Sequence, residues 1–291
     1  MEKNKIQGGM LYLVATPIGN LADISERAKK VLKEVDFVAA EDTRNSGKLL
    51  RCLDITQEIV SYHEHNKRSR GEQILARLSN GESCALITDA GMPAISDPGA
   101  DMVALCAQAD IPVTVIPGCC AAVTALALSA LPTTRFSFEG FLPTENKPRK
   151  ERLVELETER RTVILYEAPH RLPQTLTDLL ATLGNRKISI CRELTKINEE
   201  VFRTTLQDAV AFYRENQPRG EYVLILEGGE SARITVSPIT PSPTEYLSPE
   251  EKVEYYCREK GLSRMEATKM AAKEMGISKS ELYRLLHHTE D

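Results

Sequence analysis

Short apolar runs alternate with amphipathic stretches along most of the chain. Residues 11–15, 37–40, 85–88, 113–116, 163–166, 188–191 and 222–226 are compact runs of mostly apolar residues, each the length of a buried strand. Between most of them apolar positions recur at helical spacing. Those segments lie near residues 23–34, 46–53, 69–78, 100–109, 121–129, 149–158, 172–183 and 207–215. Strands alternating with helices of this length predict an α/β protein with mostly parallel sheets.

Two breaks interrupt the pattern. Residues 139–152, EGFLPTENKPRKER, carry two prolines and a basic cluster, which predicts a boundary between two α/β halves, residues 1–140 and 141–228. Residues 228–247 hold three prolines among serines and threonines and read as a linker over 229–247. Beyond it only helices are expected. Ser248, Ser263 and Ser278 each precede a Glu by three residues, the capping-box spacing, and Gly261 and Gly276 are placed to stop the first two helices. Residues 248–291 therefore predict a small three-helix domain whose last two helices resemble a helix-turn-helix.

Composition narrows the class. The chain has 291 residues and a formal net charge of −5, which gives no whole-chain attraction for nucleic acid. Any RNA contact must use a local patch, such as Lys67, Arg68 and Arg70, or Lys147, Arg149, Lys150 and Arg152. Residues 252–291 hold eight Lys/Arg against seven Asp/Glu, so the tail is not a basic arm, although Lys269, Lys273 and Lys279 are candidates for one face. No apolar run approaches the ~20 residues that span a bilayer, so no membrane partner is expected. Seven cysteines without CxxC spacing, and no apolar segment after the first lysines, fit reduced thiols in the cytoplasm, and no His/Cys/Asp cluster has metal-ligand spacing.

Three strand-to-helix junctions carry candidate chemistry. The first, Thr16-Pro17-Ile18-Gly19-Asn20, has one glycine and a proline without an N–H, so it cannot be a phosphate nest. In the second, Asp89, Gly91, Pro93, Asp97, Pro98 and Gly99 follow a strand. That pattern suits a ligand crevice at the carboxyl end of a sheet, or a tight turn. The third, Pro117-Gly118 before small residues, lets a helix approach a ligand or a neighbouring strand.

The strings TPIGNLADIS, AEDTR, SYHEHN, TDAGMPAISDPG, YEAPHR and RGEYVLILEG, in this order from residue 11 to about 227, closely resemble the ribosomal RNA small-subunit methyltransferase I family. The resemblance implies the tetrapyrrole-methylase fold: two α/β domains with the cofactor cleft between them and a C-terminal helical domain. It also implies S-adenosylmethionine as methyl donor and no metal. The implied reaction is 2′-O-methylation of a cytidine ribose in the decoding region of 16S rRNA within the small ribosomal subunit. A homodimer is implied as well. S-adenosylmethionine has no phosphate, which accounts for the first loop.

Carried over motif by motif, the resemblance assigns donor contacts to Pro17, to Ala90, Gly91, Met92 and Ile95, to Pro117, Cys120 and Ala121, and to Tyr166 and Glu167. Related members usually have Gly-Gly-Asp-Pro where this chain has Ala90-Gly91-Met92-Pro93, and Asp89 is the available substitute for the missing acid. Methyl transfer to a ribose hydroxyl needs alignment and a place for the proton. Glu41, Asp42, Arg44, His63 and Lys196 are the candidates, and the residues alone do not choose among them. Two other readings stand beside this one. Methylation of a small tetrapyrrole-like molecule is opposed by the TPIGN loop and the helical tail. A ligand-sensing regulator that binds nucleic acid through the tail is opposed by three site-like loops at one end of a sheet.

Overall fold

The computed structural model of the chain describes residues 5–229 and 247–287. They fall into two compact units, parted at Gly229.

The larger unit holds two five-stranded sheets. The first has the order β3-β2-β4-β1-β5, built from β1 (Leu11–Val14), β2 (Phe37–Ala40), β3 (Ile59–Ser61), β4 (Cys84–Ile87) and β5 (Val113–Ile116). All its pairings are parallel. Helices α1 (Glu26–Glu34) and α2 (Thr43–Cys52) cover one face, and α3 (Lys67–Ser79) and α4 (Gly99–Gln108) the other. Helix α1 shows how the sequence imposes this. The Ser25 hydroxyl accepts the Ala28 N–H to start it. Ala28, Val31 and Leu32 then form one buried stripe while Lys29, Lys30 and Lys33 stay outside it. Strand β1 sends Tyr12 and Val14 to the core on one face and Leu11 and Leu13 to the core on the other, as a central parallel strand must.

The second sheet has the order β6-β7-β10-β8-β9, from β6 (Phe136–Phe141), β7 (Thr162–Glu167), β8 (Lys187–Arg192), β9 (Glu200–Thr205) and β10 (Tyr222–Leu226). Only β6 and β7 run parallel; the pairs β7–β10, β10–β8 and β8–β9 are antiparallel. The expectation of mostly parallel sheets therefore fails in this half. The seven residues between β8 and β9 are too few for a crossover helix, which needs a dozen or more, so the chain turns straight back. The boundary expected after residue 140 also moves, because it would cut β6, which pairs with β7 along its length. Helices α6 (Asn146–Glu157), α7 (Leu172–Leu183) and α8 (Leu206–Glu215) cover one face.

The other face of this sheet meets the first half. Ile164, Cys191, Val223 and Ile225 pack with Ala122, Ala125 and Leu126 of α5 (Ala121–Leu128) and with Ile18 from the loop after β1. Burying such side chains contributes about 1.5–3 kcal/mol each, so the two halves share a core rather than a surface contact.

The smaller unit is α9 (Pro249–Lys260), α10 (Arg264–Glu274) and α11 (Lys279–His287) around Val253, Ala267, Ala271, Ala272 and Leu282. Both reciprocal capping boxes, Ser248/Glu251 and Ser263/Glu266, form. The Ser278 hydroxyl accepts the Glu281 N–H. Gly261 ends α9 in the left-handed region and Gly276 follows α10 in the same conformation. Lys269, Lys273 and Lys279 are all exposed. Residues 230–246 of the expected linker lie outside the described residues.

Candidate active site

A cavity of about 480 Å3 lies between the two sheets, beyond the carboxyl ends of β2, β4 and β7. That is where open α/β sheets bind ligands, because the strand ends there give way to loops that diverge. The loop after β4 supplies one wall with Asp89, Ala90, Gly91, Met92 and Ile95; Cys120 and Ala121 at the start of α5, and Tyr166 and Glu167 at the end of β7, supply others. These nine residues are brought together from three separate motifs. Pro17 and Pro117 stand outside the wall; their neighbours Ile18 and Cys120 reach it instead.

The first loop now has a physical role. Thr16 and Gly91 exchange both backbone hydrogen bonds, at 2.9 and 3.1 Å, and the Thr16 hydroxyl donates to the Thr88 carbonyl at 3.2 Å. The TPIGN turn therefore braces the loop after β4 from behind and inserts Ile18 into the cavity wall. Gly91 has φ +85°, and a Cβ there would meet the Ile18 side chain at 3.2 Å, so this position needs glycine on both counts. Ala94 and Ser96 further along the loop also hold positive φ, strain of the kind that binding loops carry. Gly118 settles an open alternative: a Cβ would lie 2.9 Å from the Ala15 Cβ, so its closeness serves a neighbouring strand rather than a ligand.

Of the five proton-handling candidates, only Glu41 lines the cavity. Partial burial pushes its carboxyl above the usual range, and the charges of Asp89 and Asp97 add to that shift. The Thr88 hydroxyl, which donates to Glu41 Oε2 at 3.3 Å, and His63 pull the other way. Asp42 is instead the N-cap of α2. Its Oδ1 accepts the Arg44 N–H at 2.8 Å, and that bond holds its carboxyl below the usual range. Arg44 is exposed and stands 3.6 Å from the Asp42 carboxylate. His63 stands outside the wall, and its buried Nδ1 lacks a hydrogen-bond partner among the described residues. Lys196 pairs with Glu193 and Glu221 at 2.9 Å each. Burial lowers its affinity for the proton, but the two carboxylates together outweigh burial, so it stays an ammonium and cannot act as a base.

Glu167 is also committed. Its side chain is buried, accepts from the Thr175 hydroxyl and the Ala168 N–H, and faces Arg171 at 3.5 Å. Tyr166 is half-buried against Phe138 and Phe141. Burial raises its phenol to about 12, so it remains protonated. Sequence reasoning missed Ile18, Phe141, Leu194 and the stretch 221–223. Leu194 and Val223 reach the wall through the antiparallel register that sets Tyr222 opposite Arg192, a pairing with no local signal in either segment.

The walls combine apolar side chains (Ile18, Met92, Ile95, Leu194, Val223), small residues that admit a ligand closely, and carboxylates at one edge. Such a site holds a flat heteroaromatic group by contact and tolerates a cationic centre near the acids. Cys120, the N-cap of α5, offers no side-chain hydrogen bond, which leaves that helix start open to an acceptor on a ligand. Among the described residues no cluster of His, Cys, Asp and Glu has metal-binding geometry.

Comparison with known proteins agrees with this arrangement. The family model for Tetrapyrrole (Corrin/Porphyrin) Methylases matches residues 10–210. Among solved structures, uroporphyrin-III C-methyltransferase from Thermus thermophilus complexed with S-adenyl homocysteine superposes with TM-score 0.53 at 19% identity, covering 75% of this chain and 97% of that one. A diphthine synthase superposes with TM-score 0.60 at 11% identity, over 75% and 89% of the two chains. Curated relatives are much nearer in sequence. The protein named ribosomal RNA small subunit methyltransferase I of Halalkalibacterium halodurans is 49% identical over 96% of this chain and 95% of its own. The protein of the same name from Synechocystis sp. is 48% identical over 95% and 97%. The fold, the cavity and these near-full-length relatives agree: the chain belongs to the ribosomal RNA small subunit methyltransferase I family of tetrapyrrole-type methylases.

Proposed function

We propose that this protein methylates the 2′-oxygen of a cytidine ribose in the decoding region of 16S rRNA, with S-adenosylmethionine as donor. The observation that carries the reading is the 48–49% identity to proteins named for small-subunit rRNA methylation across 95–96% of this chain. The cavity supports the donor assignment. Ala90, Gly91, Met92, Ile95, Cys120, Ala121 and Tyr166 would hold it by shape and apolar contact, braced from behind by the loop that contains Pro17. When bound, the donor supplies an electrophilic methyl carried on a sulfonium.

The chain's own groups then have two tasks. Packed walls fix the approach of the hydroxyl, and positioning of this kind contributes up to ~7–11 kcal/mol in ideal cases. Glu41 takes the proton of the ribose hydroxyl. Its raised carboxyl suits this better than an ordinary one, because a base works best when its affinity for the proton approaches the operating pH. Asp89 puts a second carboxylate on the same wall, where it would favour the donor's cationic sulfonium. We place the enzyme in the cytoplasm as a homodimer, which sedimentation of the purified protein at two concentrations tests.

The decisive assay incubates purified protein with tritiated S-adenosylmethionine and small subunits from cells lacking the enzyme, then maps label by nuclease digestion. Label in 2′-O-methylcytidine at one position is the expected result. Donor binding without label on subunits or free rRNA would reject the RNA substrate in favour of a small tetrapyrrole-like molecule.

A further inference from the structure

A second opening of about 620 Å3 adjoins the cavity, lined by α6, α7 and the two segments that lead into them. Its walls continue those of the cavity. Phe141 faces the cavity, and Pro143 and Thr144 face the groove; Glu167, Ala168 and Pro169 face the cavity, and His170 and Arg171 face the groove. Two short chain segments, 141–144 and 167–171, thus line both openings in turn. Most of its described wall residues carry polar or charged side chains, Pro143, Leu153 and Ala181 being the exceptions, and the stems of the long side chains add apolar surface.

Charge in the groove is arranged in two layers. The inner cations are spoken for. Arg149 donates to Asp178 Oδ2 through Nε and Nη2 at 2.9 and 2.8 Å, and Arg171 donates to the Leu142 carbonyl at 2.6 Å while facing Glu167. Asp178, the one acid in the wall, also accepts from Gln174 at 2.7 Å, so its charge is fully engaged. The outer layer is different. Lys150 and His170 are exposed, and neither makes a side-chain hydrogen bond or ion pair among the described residues. Asn146 is exposed beside them. The groove thus presents one uncompensated ammonium, an imidazole and an amide over a neutralised floor, while the cavity it adjoins is edged by Glu41, Asp89 and Asp97.

We propose that this groove seats the RNA strand, binding the phosphodiester backbone next to the nucleotide being methylated, with Lys150 as its main phosphate contact and His170 and Asn146 as further donors. The inference rests on the RNA methyltransferase reading above and deepens it. An acidic chain cannot draw a polyanion by its total charge, and the acids of the cavity repel one; a local cation in the groove reconciles both with an RNA substrate. Phosphate contacts of this kind set register and carry no sequence information, which leaves recognition of the cytidine to the cavity.

The test uses the full chain with Lys150→Glu and His170→Ala, and Lys147→Glu as control. Lys147 lies on the same helix, is exposed and is absent from the groove wall. Affinity for unmethylated small subunits is measured across a salt series, and donor affinity by calorimetry. We expect Lys150→Glu to weaken subunit binding about tenfold and to lower the salt slope by about one. His170→Ala should weaken it less, Lys147→Glu by under about twofold, and donor affinity should not change in any of them. Equal effects of Lys150→Glu and Lys147→Glu would overturn the groove as the RNA seat while wild-type methylation persists. Photocrosslinks from a probe at residue 170 that land on ribosomal protein rather than rRNA would overturn it in favour of a protein contact. A wild type that neither binds nor methylates subunits would instead reject the function itself, and the groove's role with it.

Discussion

The cavity and the groove are lined in turn by two segments, 141–144 and 167–171, and Asp178 in one and Glu41 in the other are held in opposite ways. In the groove Asp178 is held by Arg149 and Gln174, so the acid is neutralised where it stands. In the cavity Glu41 has only a long hydrogen bond from Thr88, and its neighbours Asp89 and Asp97 add repulsion rather than relief. The same chemical group is structural in one place and free of a close ion-pair partner among the described residues in the other. What separates them is the partner each fold element brings: Asp178 has a guanidinium and an amide, whereas Glu41 stands half-buried near two further acids, a setting that disfavours its anion.

The sharpest way to break this contrast is to fill the cavity. Gly91→Asp should abolish donor binding, because it puts a side chain into the wall at φ +85° and within reach of Ile18; unchanged affinity by calorimetry would remove that loop from the site. Next in size, Glu41→Gln should lower kcat by about 10²–10⁴-fold with donor affinity unchanged, and the acidic limb of the pH–rate profile should disappear. A limb that persists in the variant would assign the proton to another group.

The same variant tests the energetic side. A carboxyl whose folded pKa lies above its unfolded value makes stability fall as pH rises through that window. Glu41→Gln should therefore melt at the same temperature as wild type in acid and above it at neutral pH; a lower melting temperature at neutral pH would contradict the raised carboxyl. Arg149→Met strips the partner from a largely buried acid and should destabilise the larger unit by about 1–3 kcal/mol in denaturant unfolding. The smallest effect should come from Ser263→Ala, which removes a cap in the helical unit at a cost of about 1 kcal/mol, with cavity and groove binding intact.

Much of the architecture was legible along the chain. The buried central strands announce themselves as continuous apolar runs, and α7 spans Leu172–Leu183, the range its periodicity marks. The capping boxes and stop glycines were equally readable, because caps are local chemistry. Strands β3, β6 and β9 were not. They are one edge strand of the first sheet and both edges of the second, half exposed, and their polar positions break the apolar run that reveals a central strand.

Sequence alone therefore determined the α/β grammar, the helical tail, the family and the loops that line the cavity, since each depends on residues close together in the chain. Tertiary structure decided the rest. It turned the second sheet mostly antiparallel, made Asp42 a helix cap and Lys196 part of an ion pair, and put Glu41, alone of the five candidates, on the cavity wall. It also joined Phe141–Thr144 to Glu167–Arg171 as the shared wall of cavity and groove. The reason is physical: a side chain's protonation and availability depend on what lies within a few ångströms of it, and in this protein those neighbours come from segments tens of residues away.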